Sequence, residues 1–246
     1  MSLIIGHRGS RHLWPENTLE GFRGLLAAGA DGVEFDVHLT ADNQVVVIHD
    51  PTLERTTYGT GPVTQRTLAQ LQSIRLHDSA ESLPGLEQVL KVFQNSSLEV
   101  HIELKSDHAG HPYPGLEARV LSAVHQYGLG QRAILTSFDF AVLENVRRLD
   151  RSARVLFSVD HRTLDRAGGF KPAMRQVEML PDVYVAVEHS LLKGNLQQFV
   201  LGCGTDRIGV WVVNGEADLT YWLTMNIRQI TTDRVDLATK LRNLDL

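Results

Sequence analysis

Cysteine is nearly missing from this chain: Cys203 is the single one in 246 residues. An intramolecular disulfide and a cysteine-built zinc site are thereby excluded, and a reducing compartment, the cytoplasm, is the expected location. No apolar run approaches the roughly 20 residues that a membrane span requires. No charged and apolar leader precedes the first β-rich run, although Met1-Ser2-Leu3 is also compatible with the loss of one. The charge does not lean basic, since 24 Lys and Arg are interspersed with 29 Asp and Glu for a net charge of -5. Nucleic acid and stable membrane association are therefore not expected, and an anionic substrate must be held by a few local cations. Linkers rich in Pro, Gly or Ser are absent too, so residues 1–246 read as a single domain. There is no G-x-S-x-G elbow for a serine nucleophile and no P-loop for a nucleotide.

What the chain has is alternation. Eight β-rich apolar runs, Leu3 to Gly6, Gly32 to Val37, Glu99 to Leu104, Ala133 to Thr136, Arg154 to Val159, Val183 to Val187, Ile208 to Val213 and Gln229 to Thr232, are mostly separated by segments of helical spacing. Strand and helix in alternation imply a parallel sheet. Eight such units in about 250 residues predict an α/β fold, a closed (β/α)8 TIM barrel. The first helix has Asn17 as its expected N-cap, Glu20 completing a capping box and Gly29 as its stop.

Two irregularities interrupt the alternation. Val45-Val46-Val47-Ile48 follows Thr40-Ala41-Asp42-Asn43, a turn sequence, and predicts an extra β-hairpin after the second strand. A turn centred near Asp42 returns His49 opposite Phe35 or Asp36, about 5 Å away. Residues 51–83 then form a small insertion with one short helix over Leu68 to Ile74. So long a segment in a compact domain is usually functional, and a lid over the barrel mouth is the expectation.

Chemistry gathers at the strand ends. Residues two apart on a strand share a face, so Glu34 and Asp36 point into the barrel while Val33, Phe35 and Val37 meet the helices. The third run repeats this with His101, Glu103 and Lys105. Three inward carboxylates suit a hard divalent cation, Mg2+ or Ca2+. The competing reading is a structural charge network with Arg8 and Lys105. His7 and His49, both near the C-terminal mouth where barrel enzymes place their sites, favour an active site. Two histidines, a metal and two cations fit phosphodiester hydrolysis by general acid-base catalysis. His101 lies deeper and reads as a core histidine.

His7-Arg8-Gly9, Pro15-Glu16-Asn17-Thr18, Glu34-Phe35-Asp36-Val37, His49-Asp50-Pro51-Thr52-Leu53, Arg55-Thr56-Thr57, Leu83-Pro84, Ile102-Glu103-Leu104-Lys105, Trp211-Val212-Val213-Asn214 and Thr232-Asp233-Arg234 occur in order over almost the whole chain. Together they resemble the glycerophosphodiester phosphodiesterase family. The resemblance implies a TIM barrel that cleaves glycerophosphodiesters, as small-molecule substrates, to glycerol 3-phosphate and an alcohol with a divalent cation. It implies Glu34, Asp36 and Glu103 as metal ligands and His7 and His49 as the acid-base pair. It further implies that Arg8 binds phosphate and that Lys105 supports it. Glu16 matches a family position near the metal, but its place beside the first helix supplies a structural reason, and it is left out of the ligand set. A cyclic phosphate formed by the glycerol 2-hydroxyl and direct attack by water both use these residues.

Three departures from the family pattern stand out. Val212 replaces a threonine, which alters packing more than chemistry; Arg228-Gln229-Ile230-Thr231 replaces an aspartate-glycine pair and two aliphatics; and Val235 replaces a proline. The last two bear on the shape of the far rim and so on substrate choice. Trp211 and Phe138 read either as an apolar wall for the substrate or as core aromatics, while His161 and Glu188-His189 read as surface residues near the mouth. A phospholipase D-type reading with lysolipid substrates needs an apolar rim, and Tyr58 to Ser82 has few large apolar residues. A barrel without catalysis would be expected to lack a histidine or carboxylate that this chain retains.

Overall fold

The computed structural model describes residues 1–244. Nine strands form one sheet: β1 (Leu3–His7), β2 (Gly32–Leu39), β3 (Val45–Val47), β4 (Glu99–Leu104), β5 (Ala133–Ser137), β6 (Arg154–Val159), β7 (Tyr184–Glu188), β8 (Ile208–Trp211) and β9 (Gln229–Thr232). Their order is β1-β9-β8-β7-β6-β5-β4-β2-β3, and β1 also pairs with β2. Every pairing except β2 with β3 is parallel. Eight parallel strands thus close into the expected barrel, with β3 outside it as the added hairpin strand. The last-but-one strand stops at Trp211 rather than Val213.

The helices are α1 (Leu19–Leu25), α2 (Leu68–Leu71), α3 (Leu86–Phe93), α4 (Leu116–Gln126), α5 (Phe140–Leu149), α6 (His161–Ala167), α7 (Phe170–Met179), α8 (His189–Cys203), α9 (Glu216–Thr224) and α10 (Val235–Arg242). Their apolar faces pack on the outward strand residues. Val33, Phe35 and Val37 are buried in the same core as Phe22 of α1 and Phe93 of α3, with the Phe22 and Phe35 rings 5.5 Å apart. The strand parity therefore sends the partners Glu34 and Asp36 inward, as their spacing predicts.

The capping expectation for α1 fails. Thr18 is the cap, its hydroxyl accepting the Gly21 amide at 3.0 Å, and the helix ends at Leu25 before Gly29 is reached. Asn17 instead takes a left-handed conformation (φ 57°) and donates its side-chain amide to Asp36 Oδ2 at 3.1 Å. A buried carboxylate claimed the side chain that local sequence assigned to the helix.

The hairpin holds its predicted register: Val37 faces Val47, and the Ile48 amide donates to the Asp36 carbonyl at 3.1 Å, which brings His49 beside Asp36. None of residues 51–83 lines the cavity at the barrel mouth. Leu53, Val63, Leu71, Leu76 and Leu83 bury against Val46 and Ile48, forming a small second core on the hairpin's outer face. Apolar demand within the segment thus folds it against β3 and the hairpin's return, and it reaches the mouth through Arg55.

At the N-terminal end of the barrel, Glu99 accepts two hydrogen bonds from Arg228 (2.8 and 2.7 Å) and pairs with Arg154 at 2.9 Å. The Arg228 guanidinium lies 4.1 Å from the Tyr184 ring centre. Arg228 therefore sits at the barrel floor, away from the mouth, whereas Gln229 and Thr231 of the same departure line the central cavity. Val235 is buried in the helix core and does not line that cavity.

Candidate active site

β1 delivers His7 to the mouth, and the chain then turns through three left-handed residues, Arg8, Gly9 and Ser10, at φ 50°, 81° and 67°. Gly9 is needed on two counts. Its φ disfavours a side chain, and a Cβ there would stand 3.1 Å from the Phe22 ring. The close approach is to α1.

His7 is buried, and its Nδ1 lies 2.7 Å from Asp233 Oδ1. A carboxylate accepts, so Nδ1 carries the proton and Nε2 is left as the free base on the cavity side. That Nε2 lies 3.9 Å from Glu34 Oε2. His49 repeats the arrangement, with Nδ1 2.5 Å from Asp50 Oδ1. Burial is the largest influence on both imidazoles and holds each below the usual histidine pKa, although Asp233 pulls His7 upward and Asp36 does the same for His49. For the two aspartates burial is the largest single influence and acts upward, but hydrogen bonds and the neighbouring charges together outweigh it, and each is lowered to about 2.

Between the histidines lie Glu34, Asp36 and Glu103, each offering an oxygen within 4.8 Å of the others. Asp36 is 1% exposed; burial alone would raise its pKa, but Lys105 (Nζ to Oδ1 3.4 Å), His49 and Arg8 (Nε to Oδ2 3.5 Å) together hold it well below the carboxylate range. Lys105 also donates to Glu103 Oε1 at 2.7 Å. Glu34 is different. Burial first, then the charges of Asp36 and Glu103, push it well above its ordinary value. Its Oε2 accepts the Arg8 amide at 3.1 Å, while Oε1 is buried with no hydrogen-bond partner. An orphaned carboxylate oxygen beside two like charges is the environment that a hard divalent cation would satisfy. The three-carboxylate set therefore fits such an ion.

Glu16 is spoken for. It accepts Arg55 through both oxygens (2.9 and 2.7 Å) and Arg8 at 3.1 Å, and Arg55 also grips Asp50. This chain of charges runs from the insertion to both Arg8 and the His49–Asp50 pair.

These groups open on a cavity of about 200 Å3 lined by His7, Arg8, Glu34, His49, Glu103 and Lys105 at its charged end. Phe138 and Trp211, in edge contact at 5.4 Å, line it as well, and Trp211 is fixed by its Nε1 donating to the Ala186 carbonyl at 3.0 Å. Val212 is also among the residues that line this space, so the departure at that position borders the cavity. His101 borders the cavity but is buried and directed to Glu99 at 3.3 Å, as a core histidine. Glu188 caps α8, accepting the Ser190 and Leu191 amides, and His189 accepts from Trp222 at 2.8 Å. His161 opens α6 beside that end of the barrel.

Sequence reasoning passed over three functional neighbours. Asp50 was signalled by adjacency to His49. His38 continues the Glu34-Asp36 face by two residues, and it is fully buried, with Nε2 3.0 Å from the His49 carbonyl and Nδ1 2.9 Å from the Tyr113 hydroxyl. Asp233 stands 226 positions from His7, and only barrel closure brings them together.

A closed (β/α)8 barrel with two Asp-backed histidines around a carboxylate cluster at its mouth is the arrangement of a hydrolytic enzyme of the phosphodiesterase class. Residues 7–237 match the model of the glycerophosphoryl diester phosphodiesterase family. The chain belongs to that family and is a phosphodiesterase of it. It is 30% identical over 240 residues to a glycerophosphodiester phosphodiesterase of Caldanaerobacter subterraneus subsp. tengcongensis, covering 94% of each chain. It is 32% identical over 260 residues to one from Bacillus altitudinis, covering 98% of each. A crystal structure of an Agrobacterium tumefaciens protein assigned to the glycerophosphoryl diester phosphodiesterases superposes with a TM-score of 0.90 at 27% identity, over 99% of this chain and 98% of that one.

Proposed function

We propose that this phosphodiesterase hydrolyses water-soluble glycerophosphodiesters to glycerol 3-phosphate and an alcohol, with His7 and His49 as the acid-base pair. The observation that carries this reading is the doubled dyad: two imidazoles, each with Nδ1 tied to an aspartate, on either side of one carboxylate cluster. Arg8 and Lys105 stand beside that cluster and would bind the phosphoryl oxygens. Trp211 and Phe138 would lie against the carbon skeleton of the substrate.

Both histidines are neutral near pH 7 in the free enzyme, because burial disfavours their cationic forms. One Nε2 is thus ready to remove a proton from the attacking water or hydroxyl. Arrival of the phosphodiester anion favours protonation of the other, which then donates to the departing alkoxide. Asp50 and Asp233 hold each ring in the tautomer this requires. Glu34, Asp36 and Glu103 would hold a divalent cation, Mg2+ or Ca2+, which when bound supplies positive charge to the phosphoryl oxygens. No helix among the described residues is long and apolar enough to cross a membrane; we place the enzyme in the cytoplasm on its single, buried cysteine.

The test is a product assay across glycerophosphodiester headgroups, with Mg2+, with Ca2+ and with chelator. Metal-dependent release of glycerol 3-phosphate is expected. Undiminished turnover by a fully chelated enzyme would refute the metal assignment, and faster turnover of lysophosphatidylcholine vesicles than of glycerophosphocholine would replace the soluble substrate by a lipid.

A further inference from the structure

Arg11 borders two spaces at once. It lines the catalytic cavity, and it also walls an adjoining open hollow of about 290 Å3 together with His12, Asn214, Asp233 and Arg234. Its Nε donates to Asp233 Oδ1 at 2.8 Å, which fixes the direction of the guanidinium from behind His7. The terminal nitrogens are left over. NH1 comes no nearer than 3.9 Å to Glu16 Oε2, and NH2 makes no hydrogen bond among the described residues.

The other cations at the mouth are committed. Arg55 spends its guanidinium on Glu16 and Asp50, Lys105 lies on Glu103 and Asp36, and Arg8 is held between Glu16 and Asp36 beside the carboxylate cluster. On the reading above Arg8 and Lys105 meet the phosphate from within that cluster, and Arg11 stands apart on the Asp233 side of His7. The hollow's one carboxylate is already engaged through both oxygens: Asp233 Oδ1 receives His7 and Arg11, and Oδ2 receives the Asn214 amide at 2.7 Å. Its remaining walls are arginine, histidine and amide. The loop that carries Arg11 is stitched in place, with Ser10 Oγ donating to the Asp233 carbonyl at 2.8 Å and the His12 amide to the same oxygen at 3.3 Å.

Accepting the glycerophosphodiesterase reading above, we propose that Arg11 is a selectivity residue: its free terminal N–H groups bind a carboxylate carried by the headgroup alcohol on the His7 side of the phosphate. The planar fork of a guanidinium matches two carboxylate oxygens, which gives geometric as well as electrostatic discrimination. A headgroup with only an ammonium finds no partner for it in this hollow and is repelled by Arg11.

Glycerophosphoserine and glycerophosphoethanolamine differ only in the carboxylate, so their kcat/KM ratio isolates it. In the metal-loaded enzyme, Arg11→Ala is expected to lower the serine-to-ethanolamine ratio by roughly tenfold to a hundredfold, the worth of hydrogen bonds to a charged group. Arg11→Glu is expected to lower it further, with Arg11→Lys in between. Because both substrates meet the same variant, any loss passed through Asp233 to His7 divides out. An active series whose ratio does not move overturns this inference and leaves the parent reading standing. A native enzyme that turns over no glycerophosphodiester overturns both.

Discussion

The His38 imidazole donates its Nε2 proton to the backbone carbonyl of His49, 3.0 Å away. A carbonyl only accepts, so the tautomer is set, and Nδ1 must accept from the Tyr113 hydroxyl at 2.9 Å. Burial keeps this ring neutral, with its pKa lowered to about 4. His38 thus clamps the end of the hairpin from below while the Asp50 carboxylate orients the His49 ring from beside.

His38→Phe is expected to leave two buried polar partners unsatisfied and to lower stability by about 1–3 kcal/mol for each. As a positioning residue, His38 should also affect the kcat of the folded enzyme more than its KM. Thermal unfolding and steady-state kinetics on His38→Phe and on His38→Gln, which keeps a donor, check this. A His38→Phe variant with native kcat would mean that the clamp serves stability alone.

Asp233→Asn and Asp50→Asn are expected to lower kcat by about 10^2 to 10^4, because an amide no longer enforces the Nδ1–H tautomer that leaves Nε2 free. His7→Ala and His49→Ala should fall in the same range. The double variant Asp233→Asn with His7→Ala should be no worse than His7→Ala alone, as one acting unit requires. Additive losses would show that Asp233 acts independently of His7.

Glu34 carries an orphaned oxygen between two like charges, so its charge opposes folding when no cation is bound. Chelated Glu34→Gln is therefore expected to melt at or above the native protein, since the amide oxygen still accepts the Arg8 amide. Added Mg2+ or Ca2+ should raise the native melting temperature and leave the variant nearly unmoved. A chelated variant that melts well below native would show that Glu34 is held by a structural pair instead.

Alternation of strand and helix made the barrel readable from sequence, and strand parity did the same for the inward carboxylates Glu34, Asp36 and Glu103, because both patterns are local. The turn at Thr40 to Asn43 placed His49 for the same reason. What escaped depended on tertiary competition. Asn17 carried the signature of a helix cap, yet Asp36, 19 residues on, took its side chain. Residues 51–83 showed their length but not their packing, because apolar residues spaced irregularly do not announce that they share a core. Asp233 reaches His7 only through the β1–β9 pairing that closes the barrel, and no pattern within either segment announces it.

Barrel closure also concentrates charge at the opposite end. Glu99 accepts from Arg228 and pairs with Arg154 and His101, and despite burial these hold its pKa well below the carboxylate range. A depressed folded-state pKa means that the unfolded chain binds the proton first. The stabilisation is then complete above about pH 5, where an unfolded glutamate is ionised, and is lost as pH falls below about 4. Glu99→Gln is expected to cost about 1–3 kcal/mol at neutral pH by leaving two half-buried arginines without their anion, and to flatten the acid limb of the stability profile. Urea unfolding of both proteins from pH 7 down to pH 3 measures this directly. Kinetics at pH 7 should be little changed, since Glu99 lies at the floor and the reacting groups at the mouth; a selective loss of kcat would couple the two ends of the barrel.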